Sequence, residues 1–328
     1  MVTPAELIRS RGLNVTLYNL PASIELVEVA PRDGFQSIVE PLPTSSKIDV
    51  IEALIAAGLK RIEIGSFVSP KAIPQMADTG ELVRYFKDRP DVRFSALVPN
   101  LRGANMALEA GIKELVYVIS VSLTHNMKNV RQTHEQSLAG LAEIAEQVRQ
   151  STLSGRPTMR LDLGTCFDCP FDGLIKCSEV ANLLSRSLEL MEGIDVEIAL
   201  CDTTGRASPA QVGQYFAQLT RQFTSENITW AFHGHDTYGM GVANAMFAIQ
   251  NGATAIDAAA AGLGGCPFAP GATGNTATED LLYAFNGGGI ETGVDLMKLL
   301  AAADLIAALP GGQTASHMRS VPRSRIAA

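Results

Sequence analysis

The sequence contains no apolar run close to the ~18 residues that a membrane-spanning helix needs. Its N-terminal segment, Met1 to Leu20, is interrupted by Glu6 and Arg9 and lacks the apolar block of a secretion signal. Basic residues are outnumbered, with 26 Lys and Arg against 34 Asp and Glu, and no basic stripe is visible. These absences argue against a membrane or a nucleic acid as the main partner. We expect a soluble, cytoplasmic protein, in which a few local cations and a metal ion could still hold an anionic substrate.

Cysteine is also scarce, with 5 residues in the chain. An odd number in a long chain without a secretion signal predicts free thiols. Cys166 and Cys169 form a C-x-x-C motif. A structural zinc site would need a second pair at suitable spacing, and the sequence has none. We therefore do not expect structural zinc at this motif.

The chain of 328 residues, 46% of them hydrophobic, suffices for one large α/β barrel or for two ordinary domains. Four segments share one pattern, in which an apolar helix runs into a glycine and a short apolar strand follows at once. The four glycines are Gly58, Gly111, Gly193 and Gly252. Glycine commonly ends helices because it tolerates a positive φ. Strands that are apolar throughout are typical of parallel sheets covered by helices.

Four further strands are predicted between these segments, at Ile24–Val29, Arg93–Leu97, Thr158–Gly164 and Ile228–His233. Helix patterns lie near Ser45–Ala57, Leu101–Ala110, Glu135–Gln150, Lys176–Leu190, Pro209–Phe223 and Gly239–Gln250. Eight strands alternating with helices predict an α/β fold, a (β/α)8 TIM barrel. The alternative is an open doubly wound sheet, which favours a glycine-rich fingerprint after the first strand, and the sequence has PRDGFQ there. We expect one barrel domain over residues 1–310, with a last helix near Val294–Ala308, and a loose tail over residues 311–328.

Barrel enzymes carry their catalytic residues at the C-terminal ends of the strands. The first predicted strand is followed by Arg32 and Asp33, which fit either a functional site or an ordinary surface turn. The seventh ends in His233 and His235. Residues at i and i+2 of a strand point to the same face, so the two imidazoles can meet as metal ligands. Asn275, after the eighth strand, offers a neutral oxygen ligand or a hydrogen bond.

Two acids and a glycine-rich segment complete the candidate site. Glu63 lies in the apolar second strand, where a carboxylate must be paired or functional. Asp202 follows the sixth strand and could equally cap the next turn. The segment Gly262–Asn275 is dense in glycine and carries Cys266, which favours a mobile lid over a phosphate loop or a plain flexible loop. One carboxylate, two imidazoles and one amide oxygen suit Mg²⁺ or Mn²⁺, and open positions could also admit Fe²⁺ or Co²⁺.

Four stretches of sequence, VEVAPRDGFQ, GSFVSPKAIPQM, HGHDTYG and GLGGCPFAPGATGNTATED, closely resemble the 3-hydroxy-3-methylglutaryl-CoA lyase family. The resemblance covers roughly Glu25 to Ile306. It implies a metal-dependent barrel that binds an acyl-CoA substrate and forms a homo-oligomer, which we expect to be a dimer. It also implies the roles of the site residues: metal ligands at Asp33, His233, His235 and Asn275, enolate stabilisation by Arg32, proton transfer by Cys266, and supporting roles for Glu63 and Asp202.

The implied reaction is a retro-Claisen cleavage of 3-hydroxy-3-methylglutaryl-CoA to acetyl-CoA and acetoacetate, with His233 or a nearby carboxylate as the base. Two positions depart from the family's usual pattern. Leu123 stands where an acid is typical, and Phe35 stands where leucine is typical. If both residues border the acyl pocket, they make its wall more apolar. We therefore also expect that a close analogue with a longer 3-alkyl group could be accepted.

Two other functions remain open from the sequence. The first is a Claisen-type acyltransferase of the isopropylmalate or homocitrate synthase kind, which would share the Arg-Asp and His-x-His pairs but would not be expected to carry the GGCP segment. The second is a non-catalytic binding barrel. The presence of Arg32, Cys266 and a full set of metal ligands argues against this second function.

Overall fold

A closed barrel of eight parallel strands forms the centre of the protein, for which a computed structural model describes residues 20–153, 155–265, 274–312 and 315–326. Each strand is hydrogen-bonded to the next one along the chain, and the first closes the barrel by pairing with the eighth, Glu25 opposite Ala255. The strands are β1 Glu25–Glu28, β2 Arg61–Ser66, β3 Arg93–Leu97, β4 Glu114–Ser120, β5 Thr158–Gly164, β6 Val196–Asp202, β7 Ile228–Gly234 and β8 Ala255–Ala258. The predicted TIM barrel is confirmed.

The helices lie between the strands and after β8. Their bounds are α1 Thr44–Ala56, α2 Thr79–Tyr85, α3 Leu101–Ala110, α4 Leu123–Asn129, α5 His134–Gln150, α6 Cys177–Leu190, α7 Pro209–Gln222, α8 Gly241–Gln250, α9 Thr278–Gly287, α10 Leu296–Ala308 and α11 Arg323–Ile326. Every helix predicted from apolar periodicity is present, with its ends shifted by at most two residues. None of the helices in the described ranges is long and apolar enough to cross a membrane.

The four glycines of the repeated pattern adopt the predicted backbone conformation. Their φ angles are 105° at Gly58, 98° at Gly111, 77° at Gly193 and 109° at Gly252. These values lie in a region where a side chain's Cβ is unfavourable, so glycine allows the chain to leave each helix and enter the next strand.

Several short elements were not predicted. They are α2, α4, α9 and a two-stranded hairpin that pairs Asp168–Cys169 with Gly173–Leu174. The strands of the hairpin have 2 residues and the helices α2 and α4 have 7, too few to show an apolar period. Length does not explain why α9 was missed, because its 10 residues equal those of the predicted α3. The hairpin and α4 extend the loops after β5 and β4, at the end of the barrel where the candidate site lies.

The expectation of a loose C-terminal tail is wrong for residues 315–326. Asp280 on α9 accepts hydrogen bonds from the Ser316 hydroxyl at 3.1 Å and from the backbone N–H groups of His317 at 2.9 Å and Met318 at 2.7 Å. Arg319 donates to Asp304 on α10 at 2.9 Å. Polar contacts to two distant carboxylates hold this segment against the barrel. It does not depend on a periodic apolar face, and its sequence shows no apolar period.

The barrel interior contains a ladder of buried ion pairs. At its N-terminal end Arg61, 2% exposed, contacts Glu114 at 2.6 Å and Glu197 at 2.7 Å. Arg160, one level higher on β5, contacts Glu197 at 3.0 Å. It also reaches Asp162 at 2.7 Å and Asp257 at 2.5 Å. A buried guanidinium without such partners would be strongly destabilising, so these contacts determine the side-chain positions below the candidate site.

Two glycine substitutions separate backbone strain from steric clash. A Cβ at Gly111 would meet no atom within 4 Å, whereas one at Gly58 would lie 2.6 Å from the carbonyl oxygen of Gly293. We expect Gly111→Ala to lower the free energy of unfolding by about 1–2 kcal/mol, the usual cost of positive φ. Gly58→Ala should lose clearly more, because strain and clash act together. Urea unfolding of both variants measures the difference, and equal losses would contradict this assignment.

Candidate active site

Three side chains meet at the C-terminal end of the barrel. Asp33, His233 and His235 each offer one ligand atom, and these atoms all lie within 4.8 Å of one another. Asp33 belongs to a π-helical turn, Ala30–Gly34, that follows β1 directly. The two histidines lie at i and i+2 at the end of β7, with ring centroids 5.3 Å apart. The predicted convergence of imidazoles on one space is therefore present in the structure.

Asn275 joins this group from the segment after β8. Its amide nitrogen donates to Asp33 Oδ2 at 2.8 Å and to the Leu263 carbonyl at 3.1 Å. Its Oδ1 and the Nδ1 of His235 are buried, and neither has a hydrogen-bond partner within the described ranges. Leaving such atoms unsatisfied costs about 1–3 kcal/mol each. Buried oxygen and nitrogen atoms without a hydrogen-bond partner, beside a carboxylate, are suited to bind a divalent cation as ligands. The residue types of this group, carboxylate, imidazole and amide, also suit such a cation.

The imidazole of His233 is oriented by a carboxylate on the side away from the cavity. Its Nδ1 lies 2.9 Å from Asp257 Oδ2, which leaves Nε2 for the cavity. Burial lowers the pKa of His233, but the Asp257 carboxylate outweighs burial, so the pKa lies above its ordinary value. Burial and the neighbouring His233 lower the pKa of His235 to about 4. His235 is therefore neutral at physiological pH, which is the form that binds metals.

Arg32 is held beside the metal-ligand candidates by two carboxylates. Its Nε lies 2.8 Å from Glu63 Oε2, and its Nη1 is hydrogen-bonded to Asp33 Oδ1. Burial raises the pKa of Glu63 to about 7, although Arg32 opposes the shift. Glu63 is therefore a paired carboxylate, in contact with the guanidinium of Arg32. The sequence predicted that a carboxylate in this apolar strand is either paired or functional, and the structure shows the pairing.

Asp202 does not reach this group. Its carboxylate accepts hydrogen bonds from the backbone N–H of Arg206 at 3.1 Å and of Ala207 at 3.1 Å. The alternative reading of Asp202, as the cap of the turn after β6, is the one that the geometry supports. Its backbone carbonyl also accepts a hydrogen bond from the His235 N–H at 3.4 Å. Cys266, the predicted lid residue, lies outside the described residues, as do most of its glycine-rich segment and residues 1–19.

A cavity of about 950 Å³ opens above these residues. Arg32, Asp33, His233 and His235 line one side, at the ends of β1 and β7. The opposite side is formed by β4 and β5, and its lining residues include Val118, Ser120, His125, Asp162 and Gly164. A guanidinium, a carboxylate and two imidazoles thus share one space large enough for a small acyl group and part of its carrier.

The model of the HMGL-like family matches residues 23–306. The chain belongs to the HMGL-like family. It is 39% identical, over 94% of its length and 89% of the relative's, to a cytoplasmic 3-hydroxy-3-methylglutaryl-CoA lyase of Danio rerio. It is 40% identical to the (R)-citramalyl-CoA lyase of Chloroflexus aurantiacus, over 88% of this chain and 92% of the relative. A solved HMG-CoA lyase from Acinetobacter baumannii, in complex with coenzyme A and 3-methylmalate, matches with a TM-score of 0.83 and 41% identity, over 92% of this chain and 96% of that one.

Two departures from the usual family pattern do not lie where the sequence suggested. Leu123, at the start of α4, is 48% exposed, and Phe35 is 1% exposed inside the core. Neither residue lines the cavity. The rationale for a longer 3-alkyl group therefore fails at both positions.

The sequence interpretation missed three charged residues at this site, Arg160, Asp162 and Asp257. Each lies in a predicted strand, is buried, and takes part in the ion pairs of the barrel interior. The signal that could have found them is the one used for Glu63, a charged residue within a strand buried on both faces. Arg160 and Asp162 even stand at i and i+2 of β5, so they share the interior face.

The Asp257–His233 pair should matter for cation binding. We expect Asp257→Asn to weaken Mn²⁺ affinity by about 10- to 100-fold, the usual effect of losing a carboxylate that orients a metal-binding histidine. Isothermal titration calorimetry measures this without turnover. The control is Glu197→Gln, which changes another partner of Arg160 and leaves the Asp257–His233 pair in place. Equal Mn²⁺ affinity in wild type and Asp257→Asn would contradict the role of Asp257.

Proposed function

We propose that this chain is a carbon–carbon lyase that cleaves 3-hydroxy-3-methylglutaryl-CoA, or a close analogue, by retro-Claisen chemistry. The products of the methyl substrate are acetyl-CoA and acetoacetate. The observation that carries the proposal is the shared cavity, in which Asp33, His233 and His235 converge beside the guanidinium of Arg32. This chemistry must polarise a tertiary alcohol and stabilise an enolate, and the cavity has one group suited to each task.

The ligand set proposed for Mg²⁺ or Mn²⁺ is Asp33, His233, His235 and Asn275. A cation bound there would act as a Lewis acid that lowers the pKa of the substrate's hydroxyl group. Asp33 supplies the negative charge of the set. The Oδ1 of Asn275, which has no hydrogen-bond partner within the described ranges, and the neutral imidazole of His235 supply uncharged ligand atoms. The presence of these ligand atoms also favours a catalytic barrel over a non-catalytic binding barrel.

The protein's own residues would then accept the hydroxyl proton of the substrate and stabilise the negative charge of the enolate. His233 has one nitrogen for the cavity, because Asp257 holds the other. That nitrogen takes the hydroxyl proton, or, if it binds the cation, the proton goes to a carboxylate of the cavity. As the bond between C2 and C3 breaks, its electrons form the enolate of acetyl-CoA. Arg32, held by Glu63, faces the developing oxyanion, where preorganised positive charge stabilises most. The protonation of the enolate carbon by Cys266 remains a prediction.

The proposed substrate class is an acyl-CoA. It is supported by the relatives, which include lyases of 3-hydroxy-3-methylglutaryl-CoA and of (R)-citramalyl-CoA and a structure in complex with coenzyme A. These relatives differ in the acyl group that their names give, so the family alone does not define it. A homodimer and a cytoplasmic location also remain predictions.

Metal dependence provides the first test of the activity. Incubation with 3-hydroxy-3-methylglutaryl-CoA and Mg²⁺ should release acetoacetate and acetyl-CoA. EDTA should abolish the release, and added Mg²⁺ or Mn²⁺ should restore it. Full activity in excess EDTA, with no metal found by elemental analysis, would contradict the proposal. In a parallel reaction, condensation of acetyl-CoA with a 2-oxo acid, without cleavage, would favour the acyltransferase instead.

The role of Arg32 provides a second test. We expect Arg32→Gln to lower kcat by about 10²–10³, because a single oxyanion donor typically contributes that much. Circular dichroism should show an unchanged fold. Arg149→Gln, on the exposed face of α5, is the matched control and should keep wild-type kcat. If Arg32→Gln retains more than about a tenth of the wild-type kcat, its proposed role in stabilising the enolate is wrong.

A further inference from the structure

Ala261, in the loop after β8, has a strained backbone conformation. Its φ is 64° and its ψ is 6°, in the left-handed region that glycine usually occupies. The residue is fully buried. Alanine is destabilising in this conformation, so it persists only where neighbouring groups hold it, and such residues are concentrated at functional sites. The contacts of Ala261 therefore bear on the function of the cavity.

Two groups from other parts of the chain hold the backbone of Ala261. Its N–H donates to both carboxylate oxygens of Glu279, each at 3.1 Å. Its carbonyl accepts from the N–H of Ala315 at 3.0 Å. Ala315 begins the C-terminal segment 315–318, and Asp280 accepts hydrogen bonds from the three residues that follow it. Ala261 is thus held between α9 and the C-terminal segment.

The turn that contains Ala261 directs a carbonyl group at the amide of Asn275. Gly262 follows with a φ of 65°, so two successive residues are left-handed. Ala315 packs against this turn as well, because a Cβ at Gly262 would lie 3.1 Å from the Cβ of Ala315. The next residue is Leu263, whose carbonyl accepts from Asn275 Nδ2 at 3.1 Å. The position of that carbonyl therefore depends on the conformation of the turn.

The orientation of the Asn275 amide decides which of its atoms is available to a cation. A rotation by 180° about the last side-chain bond would exchange the nitrogen and the oxygen, and only the oxygen can be a ligand. Two acceptors hold the nitrogen, Asp33 Oδ2 at 2.8 Å and the Leu263 carbonyl. Asp33 is itself a proposed ligand, so a cation would compete for its carboxylate. The Leu263 carbonyl is then the acceptor that keeps the amide in this orientation.

We propose that the C-terminal segment 315–318 is a positioning element of the cation site, in which Ala315 holds the turn at Ala261 and the turn holds the amide of Asn275. This inference rests on the proposed function, because it concerns the proposed ligand set. Ala315 is a positioning residue and acts through the Leu263 carbonyl. Loss of its contact should weaken cation binding while the barrel stays folded.

Ala315→Pro tests the proposal directly, because proline lacks the N–H that binds the Ala261 carbonyl. We expect it to weaken Mn²⁺ affinity about 10-fold, the lower end of the effect of losing a group that orients a metal ligand. Isothermal titration calorimetry measures this without turnover. Ala315→Ser keeps the N–H and should match wild type. Equal affinities in wild type and Ala315→Pro would overturn the inference alone, whereas no Mn²⁺ binding by wild type would overturn the cation site as well.

Ser316→Ala is a milder change in the same segment. The Ser316 hydroxyl donates to Asp280 at 3.1 Å, next to Ala315, and the substitution leaves every backbone N–H in place. We expect it to weaken Mn²⁺ affinity about 3-fold, in line with the loss of one hydrogen bond. Circular dichroism checks the fold of both variants. If Ala315→Pro does not fold, an unchanged Mn²⁺ affinity in Ser316→Ala overturns the inference.

A glycine at position 261 distinguishes positioning from a general loss of packing. Glycine adopts the left-handed conformation without strain, so the turn should depend less on Ala315. Ala261→Gly alone should keep the wild-type Mn²⁺ affinity. Combined with Ala315→Pro, it should recover most of the affinity that Ala315→Pro loses. An equal loss with alanine and with glycine at position 261 would overturn the role of the strained turn.

A double-mutant cycle shows whether the effect passes through Asn275. Asn275→Ala removes the amide that the Leu263 carbonyl holds, so Ala315→Pro should cause no further loss of Mn²⁺ affinity in that background. Arg319→Gln is the matched control, since it breaks the contact with Asp304 on α10 and leaves the N–H of Ala315 in place. Its affinity should equal that of wild type. A further loss in the Asn275→Ala background, or the same loss in Arg319→Gln, would overturn the proposal.

Discussion

A buried guanidinium needs carboxylate partners, and the contacts of Arg160 with its partners organise the interior of this barrel. Arg160 contacts Asp257, Asp162 and Glu197, at 2.5, 2.7 and 3.0 Å. Each partner leads to a different part of the molecule. Asp257 orients His233, Asp162 forms part of the cavity wall, and Glu197 continues the ladder to Arg61 at the far end. Loss of Arg160 itself would leave its carboxylate partners buried without their guanidinium, which is strongly destabilising.

At the C-terminal end of the barrel the charged groups are also paired, whereas some atoms that could bind a cation have no hydrogen-bond partner within the described ranges. Glu63 and Asp33 compensate the charge of Arg32 without removing it from the cavity. Asn275 uses its amide nitrogen for Asp33 and the Leu263 carbonyl and leaves Oδ1 without a partner. The protein's own side chains thus hold the charged groups of the cavity in position. Such preorganisation is what lets an enzyme stabilise an oxyanion without rearranging during the reaction.

Hydrogen bonds to aspartate side chains, together with one close backbone contact, hold the loops above the barrel. Asp202 is an acid beside the site, yet its carboxylate caps the turn after β6. Gly274 approaches the carbonyl of Gly262 so closely that a Cβ would lie 2.3 Å from it. Residues 315–326 pack against α9 and α10 through Asp280 and Asp304. Gly274 is the neighbour of Asn275, whose amide donates a hydrogen bond to Asp33 although 242 residues separate the two along the chain.

The sequence by itself determined the features that have a local period or a local conformational rule. The alternation of helix, glycine and strand predicted the barrel, and the i, i+2 spacing placed His233 and His235 on one face. Only the tertiary structure decided which charged residues pair. Arg160 and Asp257 are 97 positions apart, and no local pattern links them. The same holds for Leu123, exposed on α4 and away from the cavity, and for the C-terminal segment. Periodicity records which face of an element is buried, whereas the partner of a buried charge depends on which strands the closed barrel brings together.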